Sequence, residues 1–447
     1  MKFYTLFYHL IKENNKFCMY NSRFPNSIFM LNAKQIIILL SLAVLFQSCL
    51  KDKVLHTYTI FTPVYQSKQT VYANIKSNPV KAIANPGKLF VYGNYIFLNE
   101  IDKGVHVIDN TNPAAPQVKA FINIPGNLDI AVKGNTLYAD LYTDLVLVDI
   151  RNPLQARFVT YLNNQFPTRN YTNGFVADSN RIIVDWIKKD TTVNVHNQQP
   201  VFYCTTCSYV SINAGTTGGG TFGTMSPTVG VAGSMARFSL LNNFLYVVNT
   251  SNLSAINIAD EQTPVQTSSQ SLGWGIETIY PFNGKLFIGS NTGMYIYDVA
   301  NPSFPTQLSA INHFRSCDPV IADSNFAYVT LRGGAACGGN TNVFNVYDIS
   351  TLSNPTLVCS KNMSSPYGLA KDGNLIFICD GLDGLKIYDA TNAACQMQLI
   401  KHISGIETYD VIARNKKLLL VAKDGLYQYD YSVPTDIKQI SSITVNR

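Results

Sequence analysis

Six histidines in 447 residues leave little material for general-base chemistry or for a metal centre. Five of them lie beyond residue 48: His56, His106, His196, His313 and His402. His106 sits between Val105 and Val107 in a strand pattern, where a structural role is expected. The chain also lacks a GxSxG elbow, an HExxH motif and a P-loop, so the usual signatures of serine hydrolases, zinc proteases and P-loop NTPases are missing. No clustered Lys/Arg run follows the first 48 residues, and nucleic-acid binding has no footprint. The apolar run Ile36–Phe46, about 11 residues, is too short to span a bilayer. No sustained 3.6-residue period with helix caps occurs downstream, which excludes an all-helical fold.

What is present is a repeat of about 41 residues. Each copy opens with a Gly/Asn-type turn and an aliphatic-aromatic strand, as in Gly93-Asn94-Tyr95-Ile96-Phe97 and Gly373-Asn374-Leu375-Ile376-Phe377. A second strand ending in Asp follows, then a Pro-bearing turn: Asp109 before Asn112-Pro113, Asp149 before Asn152-Pro153, Asp298 before Asn301-Pro302. First-strand anchors are Phe97, Tyr138, Ile183, Tyr246, Phe287, Tyr328, Phe377 and Leu419, spaced 41, 45, 63, 41, 41, 49 and 42 residues apart. This is the interval of a four-stranded propeller blade. The second anchors are Asp109, Asp149, Asn257, Asp298, Asp348, Asp389 and Asp430. Eight first anchors against seven second ones predict an all-β propeller of eight blades, the third distorted by a long loop insertion at about 190–235; seven blades are the alternative. Aromatic residues make up 12% of the chain and suit stacking between adjacent sheets. The first blade is expected to start near Lys88, and Ile437–Ile443 to supply an outer strand.

The apolar run behind Lys34 ends in Gln47-Ser48-Cys49 and has the length of a signal-peptide core. Cys49 there resembles a lipobox cysteine, so residues 1–49 are expected to be a leader with lipidation at Cys49, and 50–86 a tether into a ring spanning 87–447. Removing residues 1–48 takes away five basic residues and one acid and lowers the formal charge from +6 to +2. Seven cysteines then remain besides Cys49, an odd number in a compartment that permits disulfides. Cys317 enters one repeat and Cys337 lies in its hairpin loop, so a Cys317–Cys337 bond is the expected pair. Cys379, inside a strand, reads as a buried small hydrophobe. A single Cys204-Thr205-Thr206-Cys207 reads as a local disulfide or idle thiols before it reads as zinc or redox chemistry, and no metal or cofactor is expected.

The repeated Asp reads as a turn residue accepting backbone N–H bonds rather than as a calcium ligand. Positions just ahead of each innermost strand vary instead: Lys88, Asp129, Asn173, Arg237, Glu277, Asp318, Tyr367 and Asp410. They are expected to surround one mouth of the channel, where propeller pockets form. Near them stand His313, Arg332, Trp274 and Tyr409. The binding set is therefore Lys88, Asp129, Arg237, Glu277, Asp318, Tyr367 and Asp410; a catalytic set, if any, would be Asp318, Glu277 and Asp410 with His313 and Arg332. The alternative is that these charges pair with one another.

Leu145-Val146-Leu147-Val148-Asp149-Ile150 resembles the motif of the LVIVD-repeat proteins. Ile108–Pro113, Gly233–Phe238, Cys317–Val320 and Tyr328–Arg332 are similar to stretches of their Bacteroidetes lipoprotein members. The resemblance implies a β-propeller lipoprotein of uncharacterised activity and carries over no catalytic residue. The expected function is a monomeric, lipid-anchored module of the cell envelope, on the periplasmic face of the outer membrane or on the surface, that binds a protein or carbohydrate; an envelope hydrolase or lyase is the alternative. Membrane contact is expected through the lipid alone.

Overall fold

Short runs of Val, Ile, Tyr and Phe between Gly, Asn and Asp turns can bury one another only as hairpins stacked face to face. The computed structural model describes residues 55–171, 175–177, 180–194, 209–210, 231–313, 316–317, 319–334, 339–391 and 395–445. Two units divide the chain. Met1–His56 with Val193–Gln198 is one, almost wholly outside the described residues; Thr57–Thr192 with Gln199–Arg447 is the other and carries the fold.

Seven antiparallel blades follow in chain order, six of them four-stranded sheets and the first a four-stranded meander extended at both edges to a six-stranded sheet. Their innermost strands are Pro86–Tyr92, Ile130–Lys133, Phe238–Leu241, Ile276–Phe282, Val320–Ala322, Leu369–Asp372 and Thr408–Arg414. Each packs beside the next, and Pro86–Tyr92 meets Lys417–Ala422 of the seventh blade, which closes the circle. Every blade is contiguous in sequence, and Lys438–Thr444 is the outer strand of the seventh. Six of the eight first-strand anchors are among the largest fully buried side chains: Phe97, Tyr138, Tyr246, Phe287, Tyr328 and Phe377. Burying each contributes roughly 1.5–3 kcal/mol. Outer strands such as Val265–Ser271 are mostly exposed.

The count is therefore seven, the alternative and not the eight that the first anchors suggested. Ile183 lies in Arg181–Asn194, a long strand paired with Leu55–Ser67 and not with hairpin neighbours. Thr57 meets Thr192 at 2.9 Å and Thr59 donates to Asp190 at 2.6 Å across that pair. The insertion is correspondingly not inside a third blade but between the second and third, from the end of Arg157–Leu162 to the start of Phe238–Leu241.

All seven blades share two local devices. The Asp or Asn ending the third strand accepts a bond from the N–H two residues on: Asp109 from Thr111, Asp149 from Arg151, Asn257 from Ala259, Asp298 from Ala300, Asp348 from Ser350, Asp389 from Thr391 and Asp430 from Ser432, all at 2.8–3.0 Å. The repeated acid is thus a turn residue. The third and fourth strands also shift register at one corresponding point in every blade, for example between Val107 and Ile108 and between Ile387 and Tyr388. Such a bulge increases the local twist.

Residues 68–78 pack on the outer strands of the first two blades. Ser67 caps the helix Lys68–Asn74 by accepting from Thr70 N. Tyr72 stacks on Phe158 and Tyr161 of the second blade, and its hydroxyl donates to Asp144 at 2.9 Å. Ser77–Asn78 then adds a strand to the outer edge of the first blade.

Candidate functional site

The last residues of the insertion cross the axis. Val231–Ala232 pairs antiparallel with the innermost strand of blade 1, Val231 opposite Val91 and Ala232 opposite Phe90. Ser234 Oγ then accepts from Leu369 N of blade 6 at 2.5 Å. Lys88 of blade 1 donates its ammonium to the Met235 carbonyl. Ile279 N of blade 4 bonds the Ala236 carbonyl at 3.2 Å, and Arg237 N donates to Asp129 Oδ2 of blade 2 at 2.6 Å. One short segment is therefore held by innermost strands or their leading residues in blades 1, 2, 4 and 6. Gly233, Ser234 and Ala236 are buried there.

The charges converge around this segment and answer one another. Asp129 Oδ1 caps its own strand at Ile130 N, 2.8 Å, and its Oδ2 also stands 3.8 Å from Arg237 Nε. Asp140, in the second strand of blade 2, accepts Leu128 N and Asp129 N on one oxygen at 2.7 and 2.8 Å. Its other oxygen accepts Arg169 at 2.9 Å and Arg237 at 3.2 Å. Arg169 reaches on to Asp102 at 2.9 Å and lies over the Tyr142 ring. A buried carboxylate gripped by two guanidinium groups and two main-chain N–H groups is a fixed structural node.

Asp410, from blade 7, takes N–H bonds from Val411 at 2.9 Å and from Ser234. A Cβ on Gly233 would stand 2.1 Å from one Asp410 oxygen and a Cβ on Gly368 2.2 Å from the other, so both positions demand glycine for close approach. Burial pushes the Asp410 carboxyl up, against the pull of Lys88. It likewise pushes Asp129 up to about 6, against Lys88 and Arg237, and lowers the Lys88 ammonium.

Lys88, Asp129, Arg237 and Asp410 thus meet in one network; Asp129 and Arg237 immediately precede their innermost strands, whereas Lys88 and Asp410 lie within theirs. Tyr367 joins a different contact: the Arg332 guanidinium lies 4.0 Å from its ring centre, and Tyr409 meets it edge-on at 5.3 Å. Arg332 also bridges Cys317 through the backbone, N to O at 2.9 Å in both directions. Glu277 is buried at the head of blade 4, and His313 follows that blade's outer strand, donating its N–H to Thr292 O. Asp318, Asn173, Cys337, Cys204, Cys207 and Cys49 lie outside the described residues. Cys317 is disulfide-bonded, Cys379 is a buried free thiol, and Cys359 is bonded to Cys395 with Cα atoms 5.6 Å apart, a pair that the spacing did not suggest. Sequence reasoning also missed Asp140, Arg169 and the 233–236 segment. Arg169 occupies no repeat position, so periodicity could not point to it; Gly233–Phe238 stands out in the sequence only as a family-like stretch.

The LVIVD repeat model matches residues 86–123 and 127–159, which coincide with blades 1 and 2. No curated protein matches the chain. Among solved structures, the periplasmic gluconolactonase PpgL of Pseudomonas aeruginosa is 12% identical with a TM-score of 0.51, over 81% of this chain and 97% of that one. The computationally designed protein Ika8 is 10% identical with a TM-score of 0.50, over 82% of this chain and 91% of its own. At such identity the likeness concerns the fold alone. Two matched repeats, a third strand reading Leu145-Val146-Leu147-Val148-Asp149, and a closed circle of seven such sheets make this chain an LVIVD-repeat β-propeller.

Proposed function

We propose that the protein is a monomeric module of the cell envelope, anchored by lipid at Cys49, that binds a protein or carbohydrate partner and catalyses no reaction. The observation that carries this reading is the chain's own 233–237 segment lying across the axis, with Lys88, Asp129, Asp140, Arg169 and Arg237 bonded to it or to one another. A hydrolase or lyase acting through Glu277 and Asp410 would first have to displace residues that pack within van der Waals distance of Asp410. What stays presented to a partner is the loop face. Trp274 is 60% exposed between Gly273 and Gly275, both at positive φ, and Leu382 is 80% exposed at the tip of its hairpin in blade 6. Both belong to loops at the same end of the strands. Disulfide-bonded Cys317, Cys359 and Cys395 support an oxidising compartment.

The test is cross-linking and capture from native envelopes with the full chain and with a Trp274→Ala, Leu382→Ser variant. Enrichment of a defined partner by the parent and its loss with the variant is expected. Equal capture by both, or recovery of the bait alone in several detergents, removes the loop-face reading. Palmitate labelling that survives Cys49→Ser removes the anchor.

A further inference from the structure

A recess of about 430 Å³ lies on the rim, away from the axis, between residues 66–81 and the outer edge of blade 1. Its volume falls within the ~300–1,000 Å³ of small-molecule pockets. Four carboxamides line it, Gln66, Asn74, Asn78 and Asn123, together with the ammonium of Lys81 and a buried aliphatic floor at Val71. Among the described residues no carboxylate and no aromatic ring lines it. Carboxamides offer two donors and an acceptor apiece, the set that pairs with adjacent hydroxyl groups.

Lys81 adds the one charge, and nearby acids are already engaged. Asp185 pairs with Lys103 at 2.7 Å. Glu100 takes His106 at 3.0 Å and the N–H groups of Ala84 and Asn85. Among the described residues the Lys81 ammonium bonds Asn123 Oδ1, at a long 3.3 Å, and rests 4.2 Å above the Phe121 ring. Partial desolvation and the like charge of Lys103 lower the pKa of that ammonium, while Asp185 and Glu100 act the other way.

We propose that this recess binds an acidic sugar, its carboxylate on Lys81 and its hydroxyls on the carboxamides of Gln66, Asn74, Asn78 and Asn123. The proposal deepens the binding-module reading by naming a carbohydrate class, yet it stands on a site separate from the loop face. The ligand can be a free uronic acid or an acidic residue within a glycan. Saturation-transfer NMR and calorimetry on the full chain would use D-glucuronate, D-glucose, acetate and a galacturonate trimer. Saturable glucuronate binding is expected, weakened about tenfold or more by Lys81→Met, the loss of one charge-assisted bond. Asn123→Asp, which sets a carboxylate beside the ammonium, is expected to weaken it too, and Trp274→Ala to leave it unchanged. Tighter binding of the trimer assigns the glycan as source; equal or weaker binding assigns the free acid. Glucose or acetate binding as well as glucuronate, or unaltered affinity in folded Lys81→Met and Asn123→Asp, overturns the proposal. So does absence of saturable binding by the parent. Loss of the envelope partner in Trp274→Ala, Leu382→Ser with glucuronate binding intact separates the two sites.

Discussion

At Gly368 one hydrogen atom decides whether the axis closes. A methyl group there would sit 2.2 Å from Asp410 Oδ1 and 3.0 Å from the Asp410 Cα, and backbone cannot swing aside as a flexible side chain can. Gly368→Ala is expected to cost about 1–3 kcal/mol, the usual penalty of overpacking, and to lower the urea midpoint with little change in slope. A midpoint equal to the parent's would mean that the axis tolerates a wider spacing. The turn acids behave differently with pH. Thr111, Ala300, Ser350 and Thr391 hold Asp109, Asp298, Asp348 and Asp389 below the usual carboxylate range through their bonds to them, while Arg151 and Lys417 do most for Asp149 and Asp430. Their folded values are depressed, so their contribution is full above a pH of about 4 and fades as the pH falls below it. Asn257 does the same turn without a charge. Asp149→Asn should therefore keep most of the neutral-pH stability and flatten the acid limb of a Tm-versus-pH curve, whereas Asp149→Ala should cost about 1 kcal/mol at pH 7. An unchanged acid limb in Asp149→Asn would mean that this carboxylate is not depressed.

Elements show where sequence reading succeeds and where it stops. The 41-residue interval, the left-handed turns at Gly93 and Gly373, and the Asp turns are local, and each was legible because a few consecutive residues decide it. Arg181–Asn194 has the same strand chemistry as a blade, with Ile183 at nearly the right interval, but its partner is Leu55–Ser67, more than 100 residues back. Pairing over that range leaves no periodic mark, and the missing Asp turn was the one sign that no blade stood there. The Cys359–Cys395 bond left no mark either, because it joins two different blades. Cys359 is on the outer strand of blade 5 and Cys395 just before that of blade 6, so the bond ties neighbouring sheets at the rim, across 36 residues of chain. Chain-entropy reasoning puts such a cross-link at roughly 2–4 kcal/mol. Cys359→Ser with Cys395→Ser should lower Tm by several degrees and make it insensitive to mild reductant. A Tm that still falls on reduction would assign the sensitive bond to Cys317.

For the molecule as a whole, the decisive question is how a ring of contiguous blades stays shut. Among the described residues no strand from one end of the chain completes the sheet of the other, so closure there rests on contacts between blades 1 and 7. Two carboxamides bridge that seam reciprocally: Asn110 Nδ2 donates to Gln428 Oε1 at 3.1 Å, and Gln428 Nε2 donates to Asn110 Oδ1 at 2.7 Å. Ser441 adds a bond to the Pro113 carbonyl at 2.7 Å. Gln428 is buried, so removing Asn110 strands an amide away from water, which costs more than the bond itself contributes. Asn110→Ala and Gln428→Ala should each destabilise by about 1–3 kcal/mol, and the double variant by clearly less than their sum. Denaturant unfolding of all four forms measures the coupling. Were the two effects to add within about 0.3–0.5 kcal/mol, the seam would be held by apolar packing of Ile96, Leu98, Leu419 and Val421 and not by this polar clasp. A large coupling would instead make the clasp a position where the ring's integrity can be tuned without touching any blade's own core.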